Sequence, residues 1–199
     1  MSPRNTQFSR DDIIAAAFDL VRRNGWDGFS VTAVAKVING STMPIYSQFN
    51  NVRELEDEVC RKAMELLKVR IVEARSGDAW MDQAINYVNF ALEEKHLFRI
   101  LGDGRNIELQ NQLGLGLVQF IDDTLTDYPL FTGLNELEFR MIRLSRMLFA
   151  QRLAFWLNRD PNFLKAKGLD TEDFIRRSSR AIYEGFQLQF REGAGDNRQ

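Results

Sequence analysis

The sequence predicts an all-α protein: a three-helix head containing a helix-turn-helix, joined by a long helix to a larger helical body. Three observations predict it. Apolar residues recur at intervals of three and four along most of the chain, and alternating apolar runs are scarce. Only four prolines interrupt 199 residues. Residues that cap helices stand ahead of successive periodic segments.

The first helix reads from about Arg10 to Arg23, with Ser9 as N-cap, Asp11 and Asp12 in the first turn and Gly25 past its end. Ile13, Ile14, Ala17, Phe18 and Val21 form its buried stripe. After the turn "NGWDGF", Ser30 caps a second helix whose inward face is Val31, Val34, Ala35 and Ile38. Asn39-Gly40 follows, a pair that marks a β-hairpin between alternating strands or a tight turn between helices. The flanks decide: Val34 and Ile38 upstream and Ile45 and Phe49 downstream are spaced by four, so the pair is a helix–helix turn. Ser41 caps a short third helix with Pro44 in its first turn, where a missing amide donor costs nothing. Asn51 opens a long fourth helix as a capping box with Glu54, reaching about Arg75. Asp78 caps a fifth to about Leu101, and a sixth runs from Ile107 to Leu125 with Gly114 and Gly116 in its middle. After the loop "TDYPLFTG" come two long helices, Asn135 to Arg159 and Thr171 to Glu192, and the tail "GAGDNRQ" reads as disordered. The expected division is a small three-helix head over 1–52, a larger helical body over 53–193 and a flexible tail over 194–199.

Apolar content of 44% and charged content of 27% are those of a soluble globular protein. No apolar run approaches the ~18 residues of a membrane span, and "MSPRNTQFSRDD" has no signal-peptide core, so no membrane and a cytoplasmic location are expected. Cys60 is the lone cysteine and His96 the lone histidine, so neither an internal disulfide nor a nitrogen–sulfur metal site is expected, and no cofactor. Catalysis finds little support. Glu93, Glu94 and His96 read as a surface cluster, Gly102-Asp103-Gly104 lacks the context of a phosphate loop, and nothing near Cys60 would activate a thiolate. Net charge is −2, and residues 1–53 carry six basic and four acidic side chains, a faint basic footprint.

The stretches "IIAAAFDLVRRNGWDGFSVTAVA" and "IYSQFNNVREL", with Tyr46, Phe49 and Leu55, resemble the DNA-binding domain of the tetracycline-repressor (TetR) family of bacterial transcription regulators over residues 9 to 60. The chain departs from the family pattern at three places. Asn39 stands where glycine is usual, Gly40 stands where an apolar residue fills the core, and Val52 replaces a phosphate-contacting lysine. Arg53 is adjacent to Val52 but turned about 100° around the helix.

The resemblance implies binding of double-stranded DNA. Ser41, Thr42, Met43 and Pro44 would face the major groove, and Tyr46, Ser47 and Gln48 would reach phosphate or base edges. Arg10, Lys36 and Arg53 would supply positive charge. From its position alone Tyr46 also reads as a core residue with its hydroxyl at the surface. A homodimer on a palindromic operator is implied, joined through the last two long helices. Their apolar residues are Leu144, Leu148, Phe155 and Trp156, with small Ala150 and Ala154, then Ile175, Ile182, Phe186 and Phe190, with small Ser179. A small-molecule effector would sit in the body, where Phe90, Phe98, Phe120, Met141 and Trp80 read either as pocket lining or as ordinary core. Arg143, Arg146 and Arg152 would meet an anionic ligand, or else be solvated or paired. The implied function is a ligand-responsive repressor, not an enzyme. The rival is a dimeric helical sensor or protein-interaction module whose head no longer binds DNA.

Overall fold

The computed structural model describes the backbone of residues 8–196 and the side chains of residues 8–191, so Arg4 and positions 197–199 of the expected tail lie outside the described residues. Among the described residues the chain forms nine α-helices, three short 3-10 turns and no strand. The helices are α1 (Arg10–Asn24), α2 (Val31–Val37), α3 (Met43–Gln48), α4 (Val52–Ile71), α5 (Ala79–Glu93), α6 (Lys95–Ile100), α7 (Ile107–Leu125), α8 (Glu136–Arg159) and α9 (Thr171–Asp196). Two compact units emerge. One takes the chain up to Leu66 together with Glu94–Leu117, and the other takes Leu67–Glu93 with the described residues from Val118 onward. These units follow packing. The expected division after residue 52 concerns function, and it returns below as a proposal.

In the first unit, Ser9 and Asp12 close a reciprocal capping box, with Asp12 N donating to Ser9 Oγ at 3.2 Å and Ser9 N to Asp12 Oδ2 at 3.0 Å. Ile13, Ala17 and Val21 on the inner stripe of α1 are fully buried, and α1 packs against α2, α3 and α6. Gly25 ends α1 with φ 66°, and a Cβ there would stand 2.9 Å from His96 Nδ1, so both conformation and space demand glycine. Ser30 caps α2 by accepting from Ala33 N at 3.1 Å. Asn39 is the residue that turns the chain, at φ 52°. The core position expected to stand empty at Gly40 is filled from outside: a Cβ there would lie 2.9 Å from the ring of Phe8, which covers the turn.

Within α3 to α6 the helix boundaries differ from the sequence expectation because of tertiary contacts or local geometry. Ser41 does not cap α3; Thr42 is the N-cap, already helical at φ −76° and ψ −15°, and makes no side-chain cap bond. At α4, Asn51 Oδ1 accepts from Glu54 N at 2.9 Å, but the Glu54 carboxylate returns to Asn50 N at 2.9 Å, one residue earlier than a true box. That helix ends at Ile71 rather than near Arg75, because α5 captures the chain beyond it. Asp82 accepts from the amides of Arg75 and Ser76 at 2.8 and 2.9 Å and from Ser76 Oγ at 2.6 Å, while Asn86 Nδ2 donates to Glu73 O at 2.8 Å. The expected fifth helix is broken into α5 and α6 at Glu94, at φ −104° and ψ 51°. Glu94 is buried, contrary to the surface cluster expected, and its carboxylate grips Arg22 through both Nε, at 2.7 Å, and Nη2.

Asp82 supplies a pH test. Burial raises its pKa, but the bonds from Ser76 Oγ and the two amides outweigh that and hold the carboxyl below its ordinary 3.8. A lowered folded pKa means its contribution is complete above about pH 4 and is lost as pH falls through the depressed value. Asp82→Asn is therefore expected to lose about 1–3 kcal/mol at pH 7, roughly 2–4 °C of melting temperature per kcal/mol. The gap between variant and wild type should close in melts below pH 4. A gap that persists unchanged there would refute the charge-based account.

In the second unit α5 is buried on nearly every side and packs against α8 and α9. Trp80, Met81, Leu125, Phe131 and Ile142 form its apolar cluster, edged by half-buried Tyr128, Phe139 and Tyr183. The loop after α7 therefore contributes core: Phe131 is buried, and Tyr128 and Tyr183 anchor it through Asp78 Oδ1 and Leu130 O, both at 2.8 Å. The last helix reaches Asp196, beyond the Glu192 expected, taking in three positions assigned to the tail.

Candidate nucleic-acid interface

One face of α3 is anchored and the other is free. Ile45 and Phe49 are buried, fixing the helix against α1, whereas Met43 is 75% and Tyr46 60% exposed. The core reading of Tyr46 falls with that exposure. Ser41 and Ser47 are also exposed, and Ser47 Oγ donates back to Pro44 O at 2.8 Å; Thr42, Pro44 and Gln48 are half-buried. A helix so held presents two large side chains and two hydroxyls outward with little further ordering to do on contact.

The cations divide. Arg10 is engaged within the protein: Nη1 donates to Gln48 O at 3.1 Å and Glu54 Oε1 at 3.0 Å, Nη2 to Glu58 Oε1 at 2.9 Å, and the guanidinium lies 4.3 Å from the Phe49 ring. It ties α1 to the end of α3 and to α4, and a phosphate reaching it would meet two carboxylates first. The acidic run on α4 was visible in the sequence; its partner, 44 and 48 residues away, was not. Lys36 at the end of α2 is exposed and makes no ion pair among the described residues. Arg53 is exposed too, with Nη2 donating to Arg105 O at 3.4 Å. Cys60 on α4 is buried, and burial first, then the carboxylates of Asp103, Asp57 and Glu56, push its thiol up to about 12, so nothing activates it as a nucleophile.

No family model and no curated protein matches the sequence. Solved structures do match. A tetR-family transcriptional regulator from Streptomyces coelicolor superimposes with a TM-score of 0.75 at 21% identity, covering 93% of this chain and 85% of that one. A transcriptional regulator from Rhodococcus sp. Rha1 gives 0.65 at 16% identity over 91% and 95%. A TetR variant from Acinetobacter baumannii AYE in complex with minocycline gives 0.59 at 15% identity over 92% and 98%. The chain has the TetR fold.

The rest of the TetR fold here sorts the body residues. Of the pocket candidates, Phe90 is core, Phe120 is half-buried with the Lys68 ammonium 5.9 Å from its ring, and Met141 is 39% exposed on the outer side of α8. Phe98 belongs to the other compact unit. Of the dimer candidates, Ala150, Ala154, Ile175 and Ser179 are buried within the chain's own body; Ile182, Phe186 and Phe190 are half-buried. Leu144, Leu148, Phe155 and Trp156 are exposed, and Leu137 and Met141 extend their stripe. Leu137, Met141, Leu144, Leu148 and Phe155 fall on a four-three heptad spacing, the pattern of a helix–helix seam. Arg152 is exposed and lies over the rings of Phe155 and Trp156, at 5.0 and 5.4 Å. Among the described residues no helix is long and apolar enough to cross a membrane.

Proposed function

We propose that this chain is a ligand-responsive DNA-binding transcription regulator, a cytoplasmic repressor that binds a palindromic operator as a homodimer. The observation that carries the reading is the anchored, outward-facing α3, with Met43 and Tyr46 free beside Ser41 and Ser47. Residues up to 52 would read DNA, and residues 53–193 would hold the effector and the partner. Met43 offers apolar contact to a thymine methyl, Ser41 and Thr42 offer hydroxyls to base edges, and Tyr46, Ser47 and Gln48 reach phosphate or bases. Lys36 and Arg53 are the cations left to meet phosphate, since Arg10 is shared between Glu54 and Glu58. Two such cations per head make about four phosphate contacts per dimer, so log K should fall against log salt with a slope near −4. One short helix reads too few bases to locate a site, and a two-fold pair mirrors a palindrome. An effector that releases DNA must itself be weakened by operator DNA by the same factor.

The test is selection from a random duplex pool at low salt, followed by titration of the recovered sequences across a salt series. A palindrome is expected, with Thr42→Ala and Tyr46→Ala each weakening it by about 1–3 kcal/mol, roughly five- to 150-fold. A second reading, a dimeric sensor with a head that does not bind DNA, is favoured by the neutralised Arg10 and by Val52 in the lysine's place. It would be chosen if a folded dimer enriches no sequence.

A further inference from the structure

The second compact unit holds a buried positive charge with no carboxylate in direct contact; Asp78 is near enough to act on it but bonds to Tyr128 and Met81 instead. Arg146 on α8 is buried, and no carboxylate pairs with it among the described residues. Its Nη1 donates to Trp80 O, its Nη2 reaches Gln83 Oε1 at 3.5 Å, and its Nε has no partner among the described residues. The guanidinium lies over Trp80, its Cζ 3.7 Å from the ring centroid, and the Trp80 Nε1 donor is buried and has no partner among the described residues. One turn earlier on the same face, Arg143 pairs with Asp122 and lies 4.5 Å from the Phe139 ring, with its own Nε buried and unpartnered. Three buried N–H donors thus share one neighbourhood without an acceptor. Around them stand Phe131, Tyr128 and Tyr183, the last two half-buried at the edge of the aromatic cluster.

Buried polar groups in folded proteins are almost always satisfied, and buried charges are almost always paired. An arginine cannot escape by losing its proton at neutral pH. Burial first, then the charge of Arg143, pulls Arg146 down to about 9 against the opposing pull of Asp78, and burial alone pulls Arg143 to about 10, the mark of cations held without enough compensation. Sequence spacing left these arginines as ligand contacts, solvated or paired; Arg146 is neither solvated nor paired.

We infer that Arg146, with Trp80 and Arg143, forms the recognition point for a small monoanionic carboxylate carried on an apolar or aromatic body. A planar carboxylate fits the guanidinium edge and accepts from two donors at once. One unpaired cation matches one negative charge, whereas a phosphate would bring nearly two. The aromatic cluster takes the apolar body. That this ligand is the effector rests on the regulator reading above; that it binds does not.

The test titrates the whole chain with benzoate and decanoate, each against its uncharged amide, at constant ionic strength adjusted with sodium chloride. A saturable rise in melting temperature is expected with a carboxylate and none with the amides. Arg146→Met, which removes the charge but keeps the bulk, should stay helical, melt no lower than wild type and bind the carboxylate at least 10-fold more weakly. Trp26→Phe/Trp156→Phe protein, whose one remaining indole is Trp80, gives a second readout that does not depend on Arg146→Met folding: its emission should change along the same binding curve. Equal effects of carboxylate and amide, no saturable shift, a silent Trp80, or an Arg146→Met protein that binds like wild type would each overturn the inference. Carboxylate binding that leaves operator affinity unchanged would keep the site and remove the ligand-response reading. Operator binding by a protein that shows no saturable carboxylate binding would keep the regulator and remove the site.

Discussion

Leu144→Glu/Leu148→Glu protein is expected to be a folded monomer that has lost at least 100-fold in operator affinity. Both leucines lie on the outer side of α8, at 47% and 55% exposure, so within one chain the change opens no cavity and leaves the buried face of Ile142, Leu153, Ala154 and Leu157 intact. Across a two-fold seam the same residues meet their own copies. Four carboxylates would then be forced into a contact built from heptad-spaced apolar side chains, at a cost of about 2–5 kcal/mol or more for each buried unpaired charge. Sedimentation equilibrium should report the mass of a single 23.1 kDa chain, while helical circular dichroism stays at the wild-type level. Operator affinity falls because two tethered heads act as one binding event, and a single head forfeits that gain. A variant that remains dimeric would move the interface away from this stripe and refute the assignment of α8.

Trp80→Ala should be the most destabilising single substitution in the body, at about 3–5 kcal/mol. Trp80 is fully buried, meets the edge of Phe131 at 5.1 Å between ring centroids and supports Arg146 on its face. Truncation leaves a cavity that Phe131 and Ile142, packed on other neighbours, cannot fill, and it also strips the buried guanidinium of its aromatic support. The melting temperature should fall by roughly 6–20 °C. Trp156→Ala is the control: that ring is 41% exposed and its neighbours Phe163, Phe155 and Arg152 are themselves half-buried or exposed, so its loss should cost less than about 1 kcal/mol in thermal or denaturant melts of the monomeric α8 variant. Equal losses for the two tryptophans would mean that the cluster around Trp80 is not the core of the unit.

Most helix starts were legible because the bonds that make them are short in sequence. Ser9 with Asp12, Ser30 with Ala33, and Asn135 with Glu138 each join residues three apart, and the three-four rhythm of Ile13, Ala17 and Val21 is likewise local. The turn at Asn39 was legible for the same reason, since its left-handed φ is a property of one residue and its flanks. In the candidate interface, the sequence located the segment 41–48 but not which side chains leave it. The exposure of Tyr46 follows from Ile45 and Phe49 having been taken by the core.

Residue order alone therefore determined the all-helical class, nearly every helix start and the place of the helix–helix turn at Asn39, because capping and amphipathic periodicity act within one or two turns of chain. Tertiary structure decided the rest. It ended α4 at Ile71 through Asp82 and Asn86, broke the next helix so that Glu94 could hold Arg22, and placed Phe8 over Gly40. It also drew Arg10 away from solvent to Glu54 and Glu58, and left Arg146 buried with no carboxylate in direct contact among the described residues. These outcomes depend on which distant side chains share a small volume after packing, and a carboxylate 72 residues from its arginine leaves no periodic trace in the chain.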